Sequence, residues 1–342
     1  MYAYPVTQFG LDYLQQAELP TPQVRPEMVL VKIRAVSLNY RDLLMVSGVY
    51  NPKLAFPRIP CSDGAGEVVA IGEGVTRVRP GDRVCGIFMQ RWLDGPLTAE
   101  KSKDALGGDT DGMLAEYVLL HQDGVVPFPE HLSYEEAATL PCAAVTAWNA
   151  LHHAGEPPYP AHPGETIVIQ GTGGVSIFAL QFAKLLQVRI IGTSSSEEKL
   201  ARAYSLGLSA GCNYRERPDW AKWVSEITSG KGADRIIEVG GGDTFGQSLR
   251  AARVGGIIAQ IGVLSGGSAS ESLIPILHKQ LRVQGIYVGS RAMFEEMNAA
   301  IIEAKLHPVV DHVFPFHQAR EAFLHMQSAS HFGKVVIRVA EA

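Results

Sequence analysis

The sequence lacks an excess of basic residues. Its 342 residues include 30 Lys and Arg against 35 Asp and Glu, which gives a formal charge of −5 at pH 7. A protein devoted to nucleic acid shows a basic excess or a basic stripe, so we expect no nucleic-acid partner. Uninterrupted apolar runs are lacking too. Residues 137–155 hold a proline, an asparagine and two histidines, which favours a buried helix over a membrane span.

Cysteine is scarce, and its spacing is uninformative for metal binding. The four cysteines form no C-x-x-C pair and no tight cluster with histidine, which argues against a zinc ribbon or a redox pair. The first residues show no basic segment followed by an apolar one, so we expect no signal peptide. We therefore expect a cytoplasmic protein with reduced thiols. The cysteines are Cys61, Cys85, Cys142 and Cys212.

Glycine is the abundant residue, with 35 copies in the chain. This is about a tenth of all residues, against an average near ~7%. The glycines follow no G-X-Y period, which excludes collagen. They cluster at turns between apolar runs, as is typical of an α/β enzyme.

The hydrophobic pattern changes along the chain. Strands are predicted at residues 29–36, 65–72, 82–88 and 117–120, with a polar surface loop at 89–111. From residue 166 onward, short apolar runs alternate with amphipathic helical patterns, which predicts parallel strands buried on both faces of a doubly wound sheet. The strands are expected at 166–170, 189–192, 235–239 and 257–261, and the helices at 176–186, 197–206 and 244–252. Helices at 292–305 and 316–326 and a strand at 334–339 complete the pattern.

A glycine turn between the first parallel strand and its helix predicts a dinucleotide site. The context that a G-x-G-x-x-G match requires is present: a strand before, a helix after and βαβ repetition beyond. Such a turn brings a pyrophosphate against backbone N–H groups at a helix N-terminus. The alternative is a glycine-rich turn without a ligand. The predicted contacts are Gly171, Thr172, Gly173, Gly174 and Val175, with Ser176 in place of the third glycine.

The end of the next strand favours NADP(H). An NAD site places Asp or Glu about 20 residues after the fingerprint, whereas three hydroxyls and Lys199 stand here. Hydroxyls and a lysine suit a 2′-phosphate, so we expect Ser194, Ser195 and Lys199 to bind it. The alternative is that Ser195 or Ser196 only caps the following helix.

Several sequence blocks, in order and over nearly the whole chain, resemble the medium-chain dehydrogenase/reductase superfamily. They are Ser37-Leu-Asn-Tyr-Arg-Asp-Leu43, Asp63-Gly-Ala-Gly-Glu-Val-Val-Ala-Ile-Gly72, Arg79-Pro-Gly-Asp-Arg-Val84, Thr146-Ala-Trp-Asn-Ala150, the glycine turn, Asn213-Tyr-Arg215 and Gly333-Lys-Val-Val336. The resemblance implies an α/β fold: a β-rich GroES-like catalytic domain at 1–143, a Rossmann NADP-binding domain at 144–290, and a segment at 291–342 that returns to the catalytic domain.

Within the superfamily, the chain looks like the zinc-lacking, quinone-oxidoreductase-like branch. In that branch the residues matching Lys199 and Tyr214 hold the adenosine 2′-phosphate. The glycine turn departs from the branch pattern at Gly171-Thr172 and at Ser176. The family also implies a homodimer, which we expect to form through an edge strand at 281–288, since an exposed apolar edge invites association.

The resemblance identifies the residues that stand at the zinc-ligand positions of the family. The places that hold the catalytic zinc ligands of this family carry Asn39, Ser62 and Cys142 here, with Asp63 at the nearby acid. Zinc needs three protein ligands, and Asn and Ser are poor ones. The lobe that carries structural zinc elsewhere is residues 89–111, which contain no cysteine. We therefore expect no metal, and Cys142 as a buried apolar residue.

Without a Lewis acid, reduction of an electron-poor C=C is easier than oxidation of an alcohol, because hydrogen-bond donors suffice for the carbonyl oxygen. The resemblance thus points to NADPH-dependent reduction of a quinone or an α,β-unsaturated carbonyl, a small electrophile. Asn39 is expected to donate to a carbonyl or ribose. Tyr50 is a proton donor or pocket wall, or packs under its loop. Asp63 orients a proton relay or satisfies a turn.

The remaining candidates concern the nicotinamide. Thr146, near a helix start, contacts it or only packs. Ligands lie beyond the carboxyl ends of strands in a doubly wound sheet, so Gly240, Gly262 and Leu264 are expected to contact it, unless these are simple turns. Two other functions stay open. One is an alcohol dehydrogenase or carbonyl reductase with a side-chain proton relay, and the other is a non-catalytic, crystallin-like NADPH-binding protein.

Overall fold

The computed structural model describes residues 1–155 and 158–340. Its contacts divide the chain into two compact units. The flanking unit consists of Met1–Val145 together with Gly289–Ala342, and the central unit consists of Thr146–Val288. The two ends of the chain therefore build one unit, and the middle builds the other.

The flanking unit contains a mainly antiparallel sheet with the strand order β14-β15-β3-β4-β5-β7, in which β6 also pairs with β3. Strand β3 alternates buried and partly exposed residues along part of its length, as expected for a strand with one face on the core. The strands are β3 (Met28–Ser37), β4 (Asp63–Ile71), β5 (Arg83–Gly86), β6 (Tyr117–His121), β7 (Val125–Pro127), β14 (Val310–Pro315) and β15 (Lys334–Arg338); a small sheet pairs β1 (Tyr2–Ala3) with β2 (Ala17–Glu18).

The helices of the flanking unit lie around this sheet. They are α1 (Tyr40–Val46), α2 (Tyr134–Ala137), α9 (Arg291–Ala304) and α10 (Ala319–Gln327). The helix expected at 316–326 begins later, because Phe316–Gln318 form a separate 3-10 turn. Residues 89–111 contain no helix or named strand, as expected, but Met89, Trp92 and Leu106 are buried, so this segment is more than a surface loop.

The single buried helix expected at 137–155 is wrong. The structure has the short α2, then a π-helical turn at Leu140–Ala144, then α3 (Val145–His152). Pro141 stands inside the π turn. A proline has no N–H to donate and collides with the preceding turn, so regular α-helix cannot pass through this position. The interruption lies in the segment that contains Cys142.

The central unit is a parallel six-stranded sheet in the order β10-β9-β8-β11-β12-β13. Counted from β8, this is the 3-2-1-4-5-6 order of the Rossmann fold, whose ligand site lies where the order reverses. The strands are β8 (Thr166–Gln170), β9 (Arg189–Ser194), β10 (Ala210–Asn213), β11 (Ala233–Glu238), β12 (Ala252–Gln260) and β13 (Arg282–Gly285). The helices are α4 (Gly174–Leu185), α5 (Glu197–Ser205), α6 (Trp220–Ile227), α7 (Gly242–Ala251) and α8 (Ile274–His278).

The predicted Rossmann sheet is confirmed, and its two central strands are buried as parallel strands should be. Every residue of β8 and of β11 is buried. One core cluster joins the sheet to α6 and α7 through Trp220, Trp223 and Leu249. Among the helices of the described residues, none has both the length and the apolar character needed to cross a membrane.

Candidate active site

The first functional cluster is assembled by strand register in the flanking unit. Strands β3 and β15 are antiparallel, with Ser37 opposite Val336. Each step forward on β3 is a step back on β15. Continued two residues past the end of β3, this register sets Asn39 opposite Lys334, the first residue of β15. Lys334 Nζ donates to Asn39 Oδ1 at 2.5 Å and to the Leu38 carbonyl oxygen at 2.7 Å.

A serine and an aspartate complete this cluster. Ser62 Oγ donates to Asp63 Oδ1 at 2.7 Å, and the backbone N–H of Cys142 donates to Asp63 Oδ2 at 3.0 Å. Asn39 Nδ2 lies 3.5 Å from Ser62 Oγ. Asn39, Ser62 and Asp63, which stand at family positions for zinc ligands and the nearby acid, are therefore joined by side-chain contacts. Cys142, at the remaining position, contributes its backbone N–H. We call Asn39, Ser62, Asp63 and Lys334 the polar cluster.

The charges at and behind the polar cluster balance. Asp42 accepts from the Asn39 N–H at 2.8 Å and lies 3.7 Å from the Arg41 guanidinium. Two carboxyl groups, Asp42 and Asp63, thus face two cations, Arg41 and Lys334. Arg41 also donates to the Leu106 carbonyl oxygen at 2.7 Å. Arg41 and Asp42 thus form an ion pair with each other.

Burial sets the protonation of these groups. Desolvation raises the pKa of Asp42 to about 6, against the opposing effect of Arg41. Desolvation also raises the pKa of Asp63, while Lys334 and the hydrogen bonds from Asn39 and Ser62 lower it. Cys142 is partly exposed as a residue, but desolvation of its thiol raises the thiol pKa. A neutral thiol is a poor nucleophile.

The backbone before Ser62 is held in an unusual conformation. Cys61 is buried and has φ 72°, in the left-handed region that a residue with a side chain rarely adopts. Gly112 packs directly on it, because a Cβ at Gly112 would lie 2.1 Å from the Cys61 carbonyl oxygen. The segment around Gly112 therefore fixes the turn that positions Ser62 and Asp63. Backbone strain of this kind is typical of functional sites.

Two other predicted residues lie apart from the contacts described above. Tyr50 follows α1, is 44% exposed, and has the Arg41 guanidinium 5.6 Å from its ring centre. Thr146 is buried in the first turn of α3 and belongs to the central unit. Their predicted roles remain predictions.

The polar cluster does not fit zinc. A catalytic zinc site needs three good donors, but the amide oxygen of Asn39 is hydrogen-bonded to an ammonium group and Ser62 is a weak ligand. Both oxygens of Asp63 already accept hydrogen bonds. A divalent cation would also meet the positive charges of Lys334 and Arg41. Within the described residues, no group of three or more His, Cys, Asp or Glu is arranged to hold a metal ion.

The second functional region is the glycine turn of the central unit. It follows β8, at the point where the strand order reverses. Gly171 has φ 66°, and a Cβ at Gly171 or Gly173 would meet no atom within 4 Å, so the turn opens onto free space. No side chain caps the twelve-residue helix α4 that follows. An open turn before an uncapped helix N-terminus fits the pyrophosphate of a dinucleotide. The contacts of Gly171, Thr172, Gly173, Gly174 and Val175 with such a group stay predictions.

The residues predicted for the 2′-phosphate lie beyond the carboxyl ends of β9 and β10. Strand pairing sets Ser194 beside Asn213, and the Tyr214 N–H donates to the Ser194 carbonyl oxygen at 3.0 Å. Ser196 caps α5 by accepting from the Lys199 N–H at 3.3 Å, so the capping alternative is correct for Ser196. Lys199 lies in the first turn of that helix. The 2′-phosphate role of Ser194, Ser195, Lys199 and Tyr214 stays a prediction.

The glycines predicted to contact the nicotinamide have an internal role as well. Gly240 N–H donates to Glu238 Oε1 at 2.8 Å, and Gly241 N–H donates to the same oxygen at 3.0 Å. The N–H groups of Gly262 and Leu264 donate to the carbonyl oxygens of Glu238 and Val239. These amide hydrogens are engaged inside the protein. The carbonyl oxygens of Gly240 and Gly262 also accept internal hydrogen bonds, from Ser265 and Gln260. The nicotinamide contacts predicted for these residues stay predictions.

Sequence reasoning missed two site residues, Lys334 and Glu238. Glu238 is fully buried at the end of β11, where Oε1 also accepts from Thr244 and Oε2 accepts from Gln170 and Ser248. The usable signal was a charged residue inside an apolar strand. Such a residue is almost never fully buried unless it is paired.

Family models match both parts of the chain. Residues 25–130 match the model described as alcohol dehydrogenase GroES-like domain, and residues 174–303 match the model described as zinc-binding dehydrogenase. A solved structure of an NAD-dependent alcohol dehydrogenase is 33% identical with a TM-score of 0.89, covering 99% of this chain and 100% of that one.

Curated relatives align over almost their full length. A zinc-type alcohol dehydrogenase-like protein of Schizosaccharomyces pombe is 43% identical over 335 residues, 96% of either chain. Acryloyl-coenzyme A reductase of Metallosphaera sedula is 27% identical over 94% of this chain and 95% of that protein. Quinone oxidoreductase-like protein 2 of Bos taurus is 28% identical over 93% and 86%.

Proposed function

Because the chain belongs to the medium-chain dehydrogenase/reductase superfamily of oxidoreductases, we propose that it reduces a quinone or an α,β-unsaturated carbonyl with NADPH and without zinc. One observation carries this proposal. At the place of a catalytic metal, the structure has a charge-balanced cluster of hydrogen-bonding side chains built on Asn39, Asp63 and Lys334. Such a cluster supplies donors and lacks a Lewis acid.

Donors are what this reaction needs. Addition to the β-carbon of an enone or quinone moves negative charge onto the carbonyl oxygen, and preorganised hydrogen-bond donors stabilise that charge. A bound nicotinamide supplies the hydride. Asn39 is the least buried member of the polar cluster, at 9% exposure against 3% for Lys334. Its Nδ2 is the proposed donor for that oxygen. Asp63 and Ser62 lie behind it at 0% exposure and hold the donor in place.

The cofactor is proposed to lie on the central unit. The turn after β8 would hold the pyrophosphate, and Ser194, Ser195, Lys199 and Tyr214 would hold the adenosine 2′-phosphate. The support is the absence of an acid directly after β9, where an NAD site has one. Among the relatives, an acryloyl-coenzyme A reductase supports an activated C=C as substrate, while an NAD-dependent alcohol dehydrogenase represents the other cofactor.

A second function is favoured by one contact. The Ser62 hydroxyl donates to the Asp63 carboxyl group at 2.7 Å, which is the geometry of a side-chain proton relay. A carbonyl reductase or alcohol dehydrogenase without metal would use such a relay. Ser62 has no exposed surface, so this function needs a movement that the first one does not.

Isotope transfer tests the reaction. With 4-deuterated NADPH and an enone, we expect deuterium at the β-carbon of a saturated ketone product. Deuterium at the carbonyl carbon would support the second function and contradict the first. Tight NADPH binding without product from enones, quinones or ketones would leave a non-catalytic binding protein and contradict both.

The cofactor preference has its own test. Lys199→Ala removes a phosphate-binding cation, and we expect the Kd for NADPH to rise about tenfold while the Kd for NADH is unchanged. The matched control is Lys184→Ala, an exposed lysine at the end of α4. Equal losses for both cofactors, or no loss for either, would contradict the 2′-phosphate assignment.

We also propose that the protein is a homodimer. Strand β13 ends the central sheet, and all four of its residues are exposed. Beside it in the chain, the side chains of Leu273, Ile274 and Leu277 on and before α8 are 72%, 59% and 75% exposed. The edge strand expected at 281–288 is shorter, Arg282–Gly285, and Leu281, Ile286 and Val288 beside it are buried. An exposed strand edge with exposed apolar side chains near it in the chain invites pairing with another strand. A second copy of the chain is the partner of matching chemistry.

A further inference from the structure

Lys334 is an ammonium group buried inside the flanking unit. It is 3% exposed and donates to one backbone acceptor, the Leu38 carbonyl oxygen, and to one side-chain acceptor, Asn39 Oδ1. Burying a charge is costly unless it is well paired. An apolar residue of similar volume would often fill such a place at lower cost. The lysine therefore needs a reason other than packing.

The ammonium group decides which way the Asn39 amide points. A lysine has three donors and no acceptor, so the amide turns its oxygen toward Lys334. With Oδ1 held there at 2.5 Å, Nδ2 faces the other side, 3.5 Å from Ser62 Oγ. A reversed amide would set two donors against each other. The backbone of Asn39 is fixed as well, by its N–H bond to Asp42.

The orientation has a chemical consequence. Asn39 is the least buried member of the polar cluster, at 9% exposure against 3% for Lys334 and 0% for Ser62 and Asp63. In the proposed function its amide binds the substrate carbonyl oxygen, and only the Nδ2 side carries hydrogens. The ammonium group also draws electron density from the amide through Oδ1, and such coupling strengthens the Nδ2–H as a donor.

The structure assigns Lys334 as the positioning residue that holds and polarises the Asn39 amide for the substrate carbonyl oxygen. This inference rests on the proposed reductase function. Lys334 itself does not touch the substrate; it acts through Asn39. Its loss should therefore lower kcat and leave the binding of NADPH unchanged.

The test is a mutant cycle with steady-state kinetics. Lys334→Met and Asn39→Ala are each expected to lower kcat about 100-fold, with the carbonyl KM and the Kd for NADPH within about threefold of wild type. The double variant should be no slower than either single variant, because the two residues act as one unit. Lys32→Met, on strand β3, is the matched control and should keep wild-type kinetics.

A further variant separates positioning from folding. Asn39→Asp keeps an acceptor for Lys334 and removes the Nδ2 donor, so we expect it to be as slow as Asn39→Ala although the contact with Lys334 is retained. If Lys334→Met does not fold, Lys334→Arg replaces it in the cycle and should retain more activity than Asn39→Ala. Wild-type kcat in Lys334→Met, or multiplying losses in the double variant, would overturn the assignment.

A second readout does not depend on turnover. The two Nδ2 protons of Asn39, identified by their loss in Asn39→Ala, are expected to shift in the NMR spectrum of Lys334→Met and not in that of Lys32→Met. If the wild type reduces no carbonyl, the proposed function fails, and this spectrum still tests the amide contact. If the wild type is active and both readouts of Lys334→Met are unchanged, the inference fails and the function stands.

Discussion

Replacement of Glu238 should be the most damaging single change in the central unit. Its carboxyl group is fully buried and accepts five hydrogen bonds, from the N–H groups of Gly240 and Gly241 and from three side chains. The group joins the ends of β8 and β11 to the start of α7. The loop that it fixes, 239–242, is one predicted to contact the nicotinamide.

The magnitude follows from the donors left behind. Each hydrogen bond to a charged acceptor contributes about 1.5–3 kcal/mol, and each buried donor without a partner costs about 1–3 kcal/mol. These values are not additive, so we expect Glu238→Ala to lower the free energy of unfolding by about 5 kcal/mol, with about 3 as the lower bound. Glu238→Gln keeps one oxygen for Gly240 and Gly241 but sets its amide against the Gln170 amide, so about 2 kcal/mol is expected.

Urea unfolding followed by tryptophan fluorescence measures these losses, because Trp220 and Trp223 lie in the core of the same unit. Glu198→Gln on the exposed face of α5 is the control, with a change below about 0.5 kcal/mol. The expected order of loss is Ala, then Gln, then the control. A loss below about 3 kcal/mol for Glu238→Ala would refute the reasoning.

Three further predictions concern pH, packing and assembly. The pKa of Asp42 is raised from 3.8 to about 6 in the folded state, so the folded protein binds this proton more tightly than the unfolded chain does. The stability that results is therefore lost as pH rises from about 4 to 6. Relative to Asp42→Asn, the wild type should lose about 3 kcal/mol over this range in urea unfolding, and a pH-independent difference would contradict the raised pKa. Gly112→Ala should lower the unfolding temperature, since its Cβ would lie 2.1 Å from a carbonyl oxygen, whereas Gly285→Ala, with no atom within 4 Å, should not; equal effects would refute the packing argument. Leu277→Glu should convert the proposed dimer to a monomer in sedimentation, and an unchanged dimer would move the interface elsewhere.

The sequence predicted the central unit well because its signals are local. Alternating apolar runs, the glycine turn at Gly171 and the short connections are each contained within about 30 residues, the length of one βαβ unit. The predicted doubly wound sheet is confirmed in the strand order from β10 to β13. The continuous helix expected through Pro141 was wrong. The apolar pattern of this segment is that of a helix, but the proline lacks the N–H that a continuous α-helix needs there.

The site residues that were missed depend on distant pairing. Lys334 and Asn39 are 295 residues apart in sequence and meet only because β15 pairs with β3. Nothing near Lys334 in sequence reveals its partner. Asn39 and Asp63, by contrast, were predicted because they occupy the positions of a zinc ligand and of the nearby acid in the family that the sequence resembles. A charged residue within an apolar strand was the signal available for both Lys334 and Glu238.

The central claim is reduction of an activated C=C by NADPH at a site of hydrogen-bond donors in place of zinc. The most direct measurement is NADPH oxidation with an enone and a quinone, using protein dialysed against a chelator and shown by metal analysis to be free of zinc. We predict full turnover that added zinc does not raise. Loss of turnover on removal of the metal, restored by zinc, would contradict the account.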